Sequence, residues 1–317
     1  MKNKELRSNF ILLLAAAIWG FAFVAQRVGV EFVPAFTFNG VRFLLGSLSL
    51  LPLIIFFNIK NKNIAKEATK KPAWPVGIIS GCVLFIAASL QQIGMQSTSA
   101  GKAGFITGLY LVIVPLIGIF LGHRVHVITW VSVFIAAIGL YFISITGSFT
   151  IGYGDRLLLI GAFFWALHII LIDRFTKTVD SLKLSLFQFL TCAALSLGGA
   201  AIFDRFPLQN LFLAAIPIIY GGVCSVGIAY TCQVIGQKHA KPSHSAIILS
   251  MESLFACLGG WLILKENLGI RGYIGSVLMI GAMLLSQSPN LSLKMHKTLS
   301  ATEVDFTQSK TNKITAK

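Results

Sequence analysis

Two stretches, "ASLQQIGMQSTSAGKAGFI" at 88–106 and "YTCQVIGQKHAKPSHSAII" at 230–248, lie on one another when the chain is slid by 142 positions without a gap. Gln91 then meets Gln233, Ile93–Gly94 meets Ile235–Gly236, and Ile106 meets Ile248. The same register carries outward to Pro75 on Pro217, Cys82 on Cys224, Ala87 on Ala229, Gly118 on Gly260 and Gly139 on Gly281. Nearer the start of each half an offset of 146 lays Trp19 on Trp165, Arg42 on Gln188 and Phe43 on Phe189. Apolar runs share a small alphabet and match by chance over short lengths. One offset held across three consecutive runs points instead to an internal repeat.

The runs themselves are membrane spans. The chain of 317 residues is 56% hydrophobic and 12% charged, with a mean hydropathy of +0.80, where a soluble domain carries about 25% charged residues. Twenty-five phenylalanines and 29 glycines suit helices packed closely in lipid. Apolar runs set against breakers and charges predict an all-α integral membrane protein of ten transmembrane helices. These lie near 9–29, 35–57, 74–95, 102–121, 127–147, 155–173, 182–203, 212–236, 243–264 and 269–288. Residues 1–8 form a short N-terminus, 58–73 a lysine-rich link, and 289–317 a polar tail whose composition predicts disorder.

Charge orients the bundle. Of the 26 Lys and Arg, nineteen fall in the two tails and the even-numbered loops and six on the opposite side, with Arg42 inside a span. The positive-inside rule then places both termini in the cytoplasm of a multi-pass protein in a bacterial cytoplasmic membrane. The net charge of +15 is thereby a topology signal. No basic–aromatic module suggests nucleic acid, and the lysines need no partner beyond anionic lipid headgroups. No cleavable signal peptide is convincing, because the first apolar run continues through Val30.

Five spans per half is an odd number, so the second half, 155–288, lies upside down relative to the first, 9–147. Inverted repeats of this kind hold substrate near midplane between the halves and serve alternating access.

A family resemblance then becomes specific. "AAIWGFAFVAQRVGVEFVPAFTFNGVRFLLGSL" (16–48), "SAGKAGFITGLYLVIVPLIGIFLG" (99–122) and "IGQKHAKPSHSAIILSMESLFACLGGWLILKENL" (235–268) are similar to the EamA-type transporters of the drug/metabolite transporter superfamily. The likeness runs from Phe10 to about Ser288. It implies ten helices, cytoplasmic termini, a central cavity between two five-helix halves, and export or exchange of small metabolites. One departure is plain: the second half carries Lys265–Glu266 after its fourth helix, where the first half has His123–Arg124.

Glu252 is the acid in the run "IILSMESLFACLGGWLIL" (247–264), about ten residues from Pro242 and so near midplane. A charge there costs at least ~2.5 kcal/mol and should face protein or water. Ser245 and Gly259, each seven residues away, and Ala256 share its stripe, and the repeat makes Tyr110 its counterpart. Two readings stand. Glu252 binds a cationic or amino group, or exchanges a proton; or it is a buried acid that fixes the bundle.

The paired Gln91 and Gln233 either line a cavity or join helices, and Tyr230 shares the face of Gln233. Trp19, Phe23 and Gln26 share a face of the first span, and Trp165, His168 and Ile172 one of the sixth; both tryptophans lie too deep for an interfacial belt. An aromatic cavity wall follows. His168 alone is equally a core histidine. Arg42 reads as snorkelling toward the nearer surface, in reach of Glu31, or as a binding residue. Lys102 opens the fourth span, and Gly104 and Gly108 form a GxxxG that predicts close packing.

Nothing in the sequence proposes an enzyme, a cofactor or a metal. There is no GxxxxGK[ST], GxSxG or HExxH motif, and the cysteines Cys82, Cys192, Cys224, Cys232 and Cys257 lie within apolar runs without ligand spacing. The expected function is a gradient-driven transporter for small organic metabolites, amino acids or amphipathic compounds, with proton coupling open. A non-transporting membrane receptor or scaffold is the competing class. Substrate, direction and oligomeric state are not legible in the chain.

Overall fold

In the computed structural model, residues 2–61, 71–98, 100–122, 125–144, 151–205, 209–264 and 269–286 are described. The pairs His123–Arg124 and Lys265–Glu266, most of the 58–73 link and the 289–317 tail fall outside them.

The described residues are helical and contain no strand. The first half holds α1 (Lys2–Gly29), α2 (Ala35–Asn61), α3 (Trp74–Gly94), α4 (Ala100–Gly108), α5 (Tyr110–Phe120) and α6 (Val127–Ser144). The second holds α7 (Tyr153–Phe175), α8 (Ser181–Phe203), α9 (Asn210–Leu213), α10 (Ala215–Ile219), a π-helix (Tyr220–Tyr230), α11 (Thr231–Gln237), α12 (Pro242–Leu249), α13 (Glu252–Leu264) and α14 (Gly269–Ser286). Nine described stretches are long and apolar enough to cross a bilayer. The apolar part of α6, Val127–Phe142, is shorter, at roughly 24 Å.

Three predicted spans are not simple α-helices. Between α4 and α5 the ladder tightens at Leu109, whose N–H reaches the Ile106 carbonyl. Between α12 and α13 it tightens at Ser250–Met251, where the Met251 N–H reaches Ile248 and the Ser253 N–H reaches Ser250. Both are short-range i to i+3 bonds, the pattern of a 3₁₀ break. In the eighth span the ladder loosens over Tyr220–Tyr230 into a π-helix of 11 residues. Gly221, Gly222 and Gly227 lie in that segment, and α2 approaches it closely: a Cβ at Gly227 would stand 2.3 Å from Ser49 Oγ, and one at Gly222 3.0 Å from the Arg42 carbonyl.

Spans pack across the halves. α2 lies against α8 and α6 against α14. α1 packs on the π-helix, α12 and α13, just as α7 packs on α3, α4 and α5. Exchanging each span for its repeat partner therefore carries this set of contacts onto itself. Close approach depends on small residues. A Cβ on Gly20 would lie 2.3 Å from Phe255 Cβ and 2.7 Å from the Glu252 carbonyl, pinning α1 to the first turn of α13. Of the predicted GxxxG, Gly108 is tight against Leu140, whereas Gly104 has ordinary contacts and accepts a 3.0 Å hydrogen bond from Ser253 Oγ through its carbonyl.

The surface is apolar where lipid would meet it, with Phe120, Phe134, Phe212, Ile216 and Val277 all exposed. Polar residues lie inside, among them Gln26, Arg42, Gln91, His168, Gln233 and Glu252. This inversion of the soluble pattern is what a hydrocarbon solvent selects.

Candidate functional site: a polar cavity between the halves

The two ladder breaks set the site. Tyr110 is the first residue of α5 and Glu252 the first of α13, so each side chain projects from a half-helix N-terminus deep inside the bundle. An acid suits the first turn of a helix, where the macrodipole favours negative charge. The two residues meet: Tyr110 Oη donates to Glu252 Oε1 at 3.1 Å. They are repeat counterparts, 142 positions apart. Phe43 and Phe189, counterparts at 146, also touch, with ring centroids 6.3 Å apart. Residues that pair with their own counterparts must lie where the two halves face each other.

Around this contact lies a cavity of about 40 Å³, room for water but not for a metabolite. Trp19 and Trp165, Gln91 and Gln233, and Tyr110 and Glu252 line it as counterpart pairs. Phe23 and Tyr230, from the predicted set, line it as well. Tyr230, at the end of the π-helix, is the aromatic hub: its ring lies 4.6 Å from Trp19, 6.1 Å from Trp165, 5.9 Å from Phe43 and 5.8 Å from Phe189.

Hydrogen bonds fix the lining. Trp19 Nε1 donates to the Ser225 carbonyl in the π-helix at 3.2 Å. Trp165 Nε1 donates to Gln91 Oε1 at 2.9 Å, Gln91 Nε2 to Gln26 Oε1 at 3.2 Å, and Gln26 Nε2 to the Ala22 carbonyl at 3.3 Å. The first of the paired glutamines thus joins spans from both halves. The second does not: Gln233 Oε1 is buried without a partner, as is Thr107 Oγ1, which also lines the cavity.

His168 stands apart from the rest of the predicted set. It is buried outside the lining, with Nε2 3.0 Å from Gln188 Oε1 and its ring edge-on to Trp165 and Tyr230. Its geometry supports the aromatic wall from behind. Arg42 moves the other way. It does not snorkel to Glu31 but is 2% exposed and lines the cavity. Its guanidinium lies 5.4 Å from the Phe38 ring centroid and 5.0 Å from that of Phe43, and Nε has no hydrogen-bond partner. Cation–π contact offsets part of the burial cost, yet no carboxylate among the described residues pairs with it. The signal for Arg42 was in the sequence: a lone arginine inside an apolar run, aligned by the repeat with a buried polar residue, Gln188.

The two ends of the bundle differ. At one end a cavity of about 600 Å³ is lined by His126, Lys177, Lys238, His239, Lys241 and His244, among others. Ile170 lines it and the adjacent Ile169 lines the central cavity. At the other end hydrogen bonds join the halves. Asp204 Oδ2 accepts from the Thr37 N–H at 2.6 Å and from Thr37 Oγ1 at 2.7 Å, capping α2 from α8. Asn210 Nδ2 donates to the Phe32 carbonyl at 2.9 Å, and Thr98 Oγ1 to Asp155 Oδ1 at 3.0 Å.

Comparison with known proteins places these features in context. The profile of the EamA-like transporter family matches residues 6–145 and again 152–287. A protein of Archaeoglobus fulgidus named as an uncharacterized transporter is 29% identical over 283 residues, covering 89% of this chain and 86% of its own length. YoaV of Bacillus subtilis, also named as an uncharacterized transporter, is 23% identical over 84% of this chain and 92% of its own. A Chlamydia muridarum protein named as an S-adenosylmethionine/S-adenosylhomocysteine transporter is 23% identical over 81% of this chain and 84% of its own. A solved crystal structure, 18% identical, superposes with a TM-score of 0.75 over 91% of this chain and 98% of that one, which speaks to the fold alone.

Proposed function

We infer that this protein, which belongs to the EamA-like transporter family, is a gradient-driven secondary transporter that exports small organic metabolites from a bacterium across its cytoplasmic membrane. It works by alternating access between two inverted five-helix repeats, 9–147 and 155–288. The observation that carries this reading is the Tyr110–Glu252 contact, a bond between counterparts inside a cavity lined by further counterpart pairs. Two similar halves in opposite orientation can exchange conformations, which gives outward-open and inward-open states of comparable energy. The double family match supports the repeat boundaries, and the set of packing contacts that survives exchange of the halves supports the symmetry.

Charge bias supports a cytoplasmic side for the lysine- and histidine-lined vestibule and for both termini. The arrangement is then inward-facing: open below, latched above by Asp204–Thr37 and Asn210–Phe32. Cargo enters through the vestibule and reaches Glu252, which contacts an amino group or exchanges a proton while Gln91, Gln233, Trp19, Trp165, Phe23 and Tyr230 shape the cavity around it. His168 acts behind Tyr230 as a positioning residue. The name of the Chlamydia relative supports organic metabolites as the class of cargo.

The test is counterflow in proteoliposomes against a broad panel of labelled amino acids, nucleosides, amines and organic acids. Saturable exchange of at least one solute is expected, and its loss in Glu252→Gln at unchanged protein yield. A chain inert toward every solute would refute the carrier reading.

A further inference from the structure

The vestibule of about 600 Å³ gathers charge of one sign. Three lysines line it, Lys177, Lys238 and Lys241, against one carboxylate, Asp173. That carboxylate is already taken, because Lys177 Nζ donates to Asp173 Oδ2 at 2.8 Å. Lys238 and Lys241 have no carboxylate partner among the described residues of the lining. Asp180 is the acid of a neighbouring cavity of about 390 Å³ that Lys238 and His239 also line. Arg7 lines that cavity too, and Asp180 Oδ1 accepts from the Leu182 and Lys183 N–H groups at the head of α8. The groups of the vestibule come from both halves. His126 precedes α6, Lys177 follows α7, and Lys238 and Lys241 bound the turn between α11 and α12. Ser243 and His244, in the first turn of α12, line it as well; that turn has no side-chain cap, and its dipole favours negative charge. Like charges gathered in one concavity focus the field and draw counter-ions. Basic pockets between spans at a membrane's cytoplasmic side are suited to anionic headgroups.

We propose that this vestibule is a phosphate site, distinct from the central cavity, which takes a phosphate monoester between Lys238, Lys241 and His126. Such a group carries about −1.5 to −2 charge at neutral pH and three strong acceptor oxygens. Two lysines share that charge, and the imidazole from the other half donates to a remaining oxygen. A carboxylate offers one charge and two oxygens, too little for donors that reach in from separate segments. Val114 and Ile170 give the organic part of the ester an apolar surface. The volume of about 600 Å³ is that of a small-molecule site. A soluble organic phosphate and the headgroup of a phosphatidic-acid lipid share this chemistry, the first arriving from water and the second from the bilayer. Either occupant would bridge the halves at this end. The site needs no transport to be filled, so it stands apart from the carrier reading.

Equilibrium binding of phenyl phosphate to the purified full chain in phosphatidylcholine nanodiscs tests it, with benzoate as the carboxylate of like shape. Phenyl phosphate should bind about tenfold or more tighter than benzoate, or ~1.4 kcal/mol. The double variant Lys238→Gln/Lys241→Gln should erase that preference, and Lys238→Arg/Lys241→Arg should keep most of it. His126→Gln should reduce it by less than the loss of both lysines. Lys71→Gln removes a charge outside both cavities and should leave it unchanged. The preference is a ratio within one variant, so a loss of folded protein does not mimic its change. No binding of phenyl phosphate, equal binding of benzoate, or equal loss in Lys71→Gln overturns the proposal. Nanodiscs doped with phosphatidic acid identify the source. Competition with phenyl phosphate that vanishes in the double Gln variant assigns the site to a headgroup, and no competition assigns it to a soluble ester. Phosphatidylglycerol, a diester of single charge, should compete more weakly than phosphatidic acid; equal competition reduces the site to surface charge and overturns it. Counterflow of a solute without phosphate binding sinks this inference and spares the carrier. Phosphate binding in a chain inert toward every solute does the reverse.

Discussion

At the scale of single residues, Glu252 and Arg42 show what a sequence can and cannot give. An acid ten residues from a helix-starting proline is legible as an intramembrane charge, and the repeat register names Tyr110 as its counterpart. That the counterparts bond to one another depends on both spans breaking just before these residues, and neither "GLY" at 108–110 nor "SME" at 250–252 carries a proline to announce it. Arg42 was visible as a charge and misplaced in depth, because distance along a helix says nothing about which way the side chain turns. Removing the Tyr110 hydroxyl isolates the bond. Tyr110→Phe should lower stability by about 1 kcal/mol, the size of a helix–helix hydrogen bond in a membrane protein, read as a lower unfolding temperature in detergent. Full counterflow in that variant would make the hydroxyl structural; lost counterflow in a folded variant would make it part of the recognition surface.

At the scale of elements, glycines set how close the helices come. Composition predicted tight packing in general, but the decisive positions are Gly20, Gly108 and the glycines around the π-helix, of which only Gly108 belongs to a recognised motif. Gly20→Ala should push α13 and with it Glu252 away from α1, at a cost of roughly 1–3 kcal/mol. Gly281→Ala, where an added Cβ meets open space, should leave stability unchanged or slightly improved. Thermal unfolding of the two variants side by side checks this. The latch at the other end of the bundle has its own test. Asp204→Ala deprives the first turn of α2 of its cap, worth ~0.5–2 kcal/mol, and should shift the population toward opening at that end. In a background cleared of native cysteines, Ser225→Cys should then react faster with a membrane-impermeant thiol reagent applied from outside.

At the scale of the whole molecule, hydropathy, charge bias and the repeat made the class of fold readable, because a bilayer imposes length and polarity on every span at once. Local winding was not readable: nothing in "YGGVCSVGIAY" distinguishes a π-helix from a glycine-rich α-helix. The proposed upside-down relation of the halves predicts that Glu31→Cys, in the turn after α1, and Lys177→Cys, in the turn after α7, label from opposite faces of the membrane. Labelling from the same face would remove the inversion.

The winding of Tyr220–Tyr230 has one more consequence. A coil looser than its flanks is shorter than the same residues wound normally. Tightening it would therefore lengthen that rod and turn its lower portion about its own axis. Tyr230 and Gln233 ride on that portion, and Trp19 is tethered to a carbonyl within the coil. A single change of pitch would sweep the aromatic hub off its neighbours and free the tethered indole, so the passage could be unlocked by a screw motion of one rod rather than by displacing whole halves.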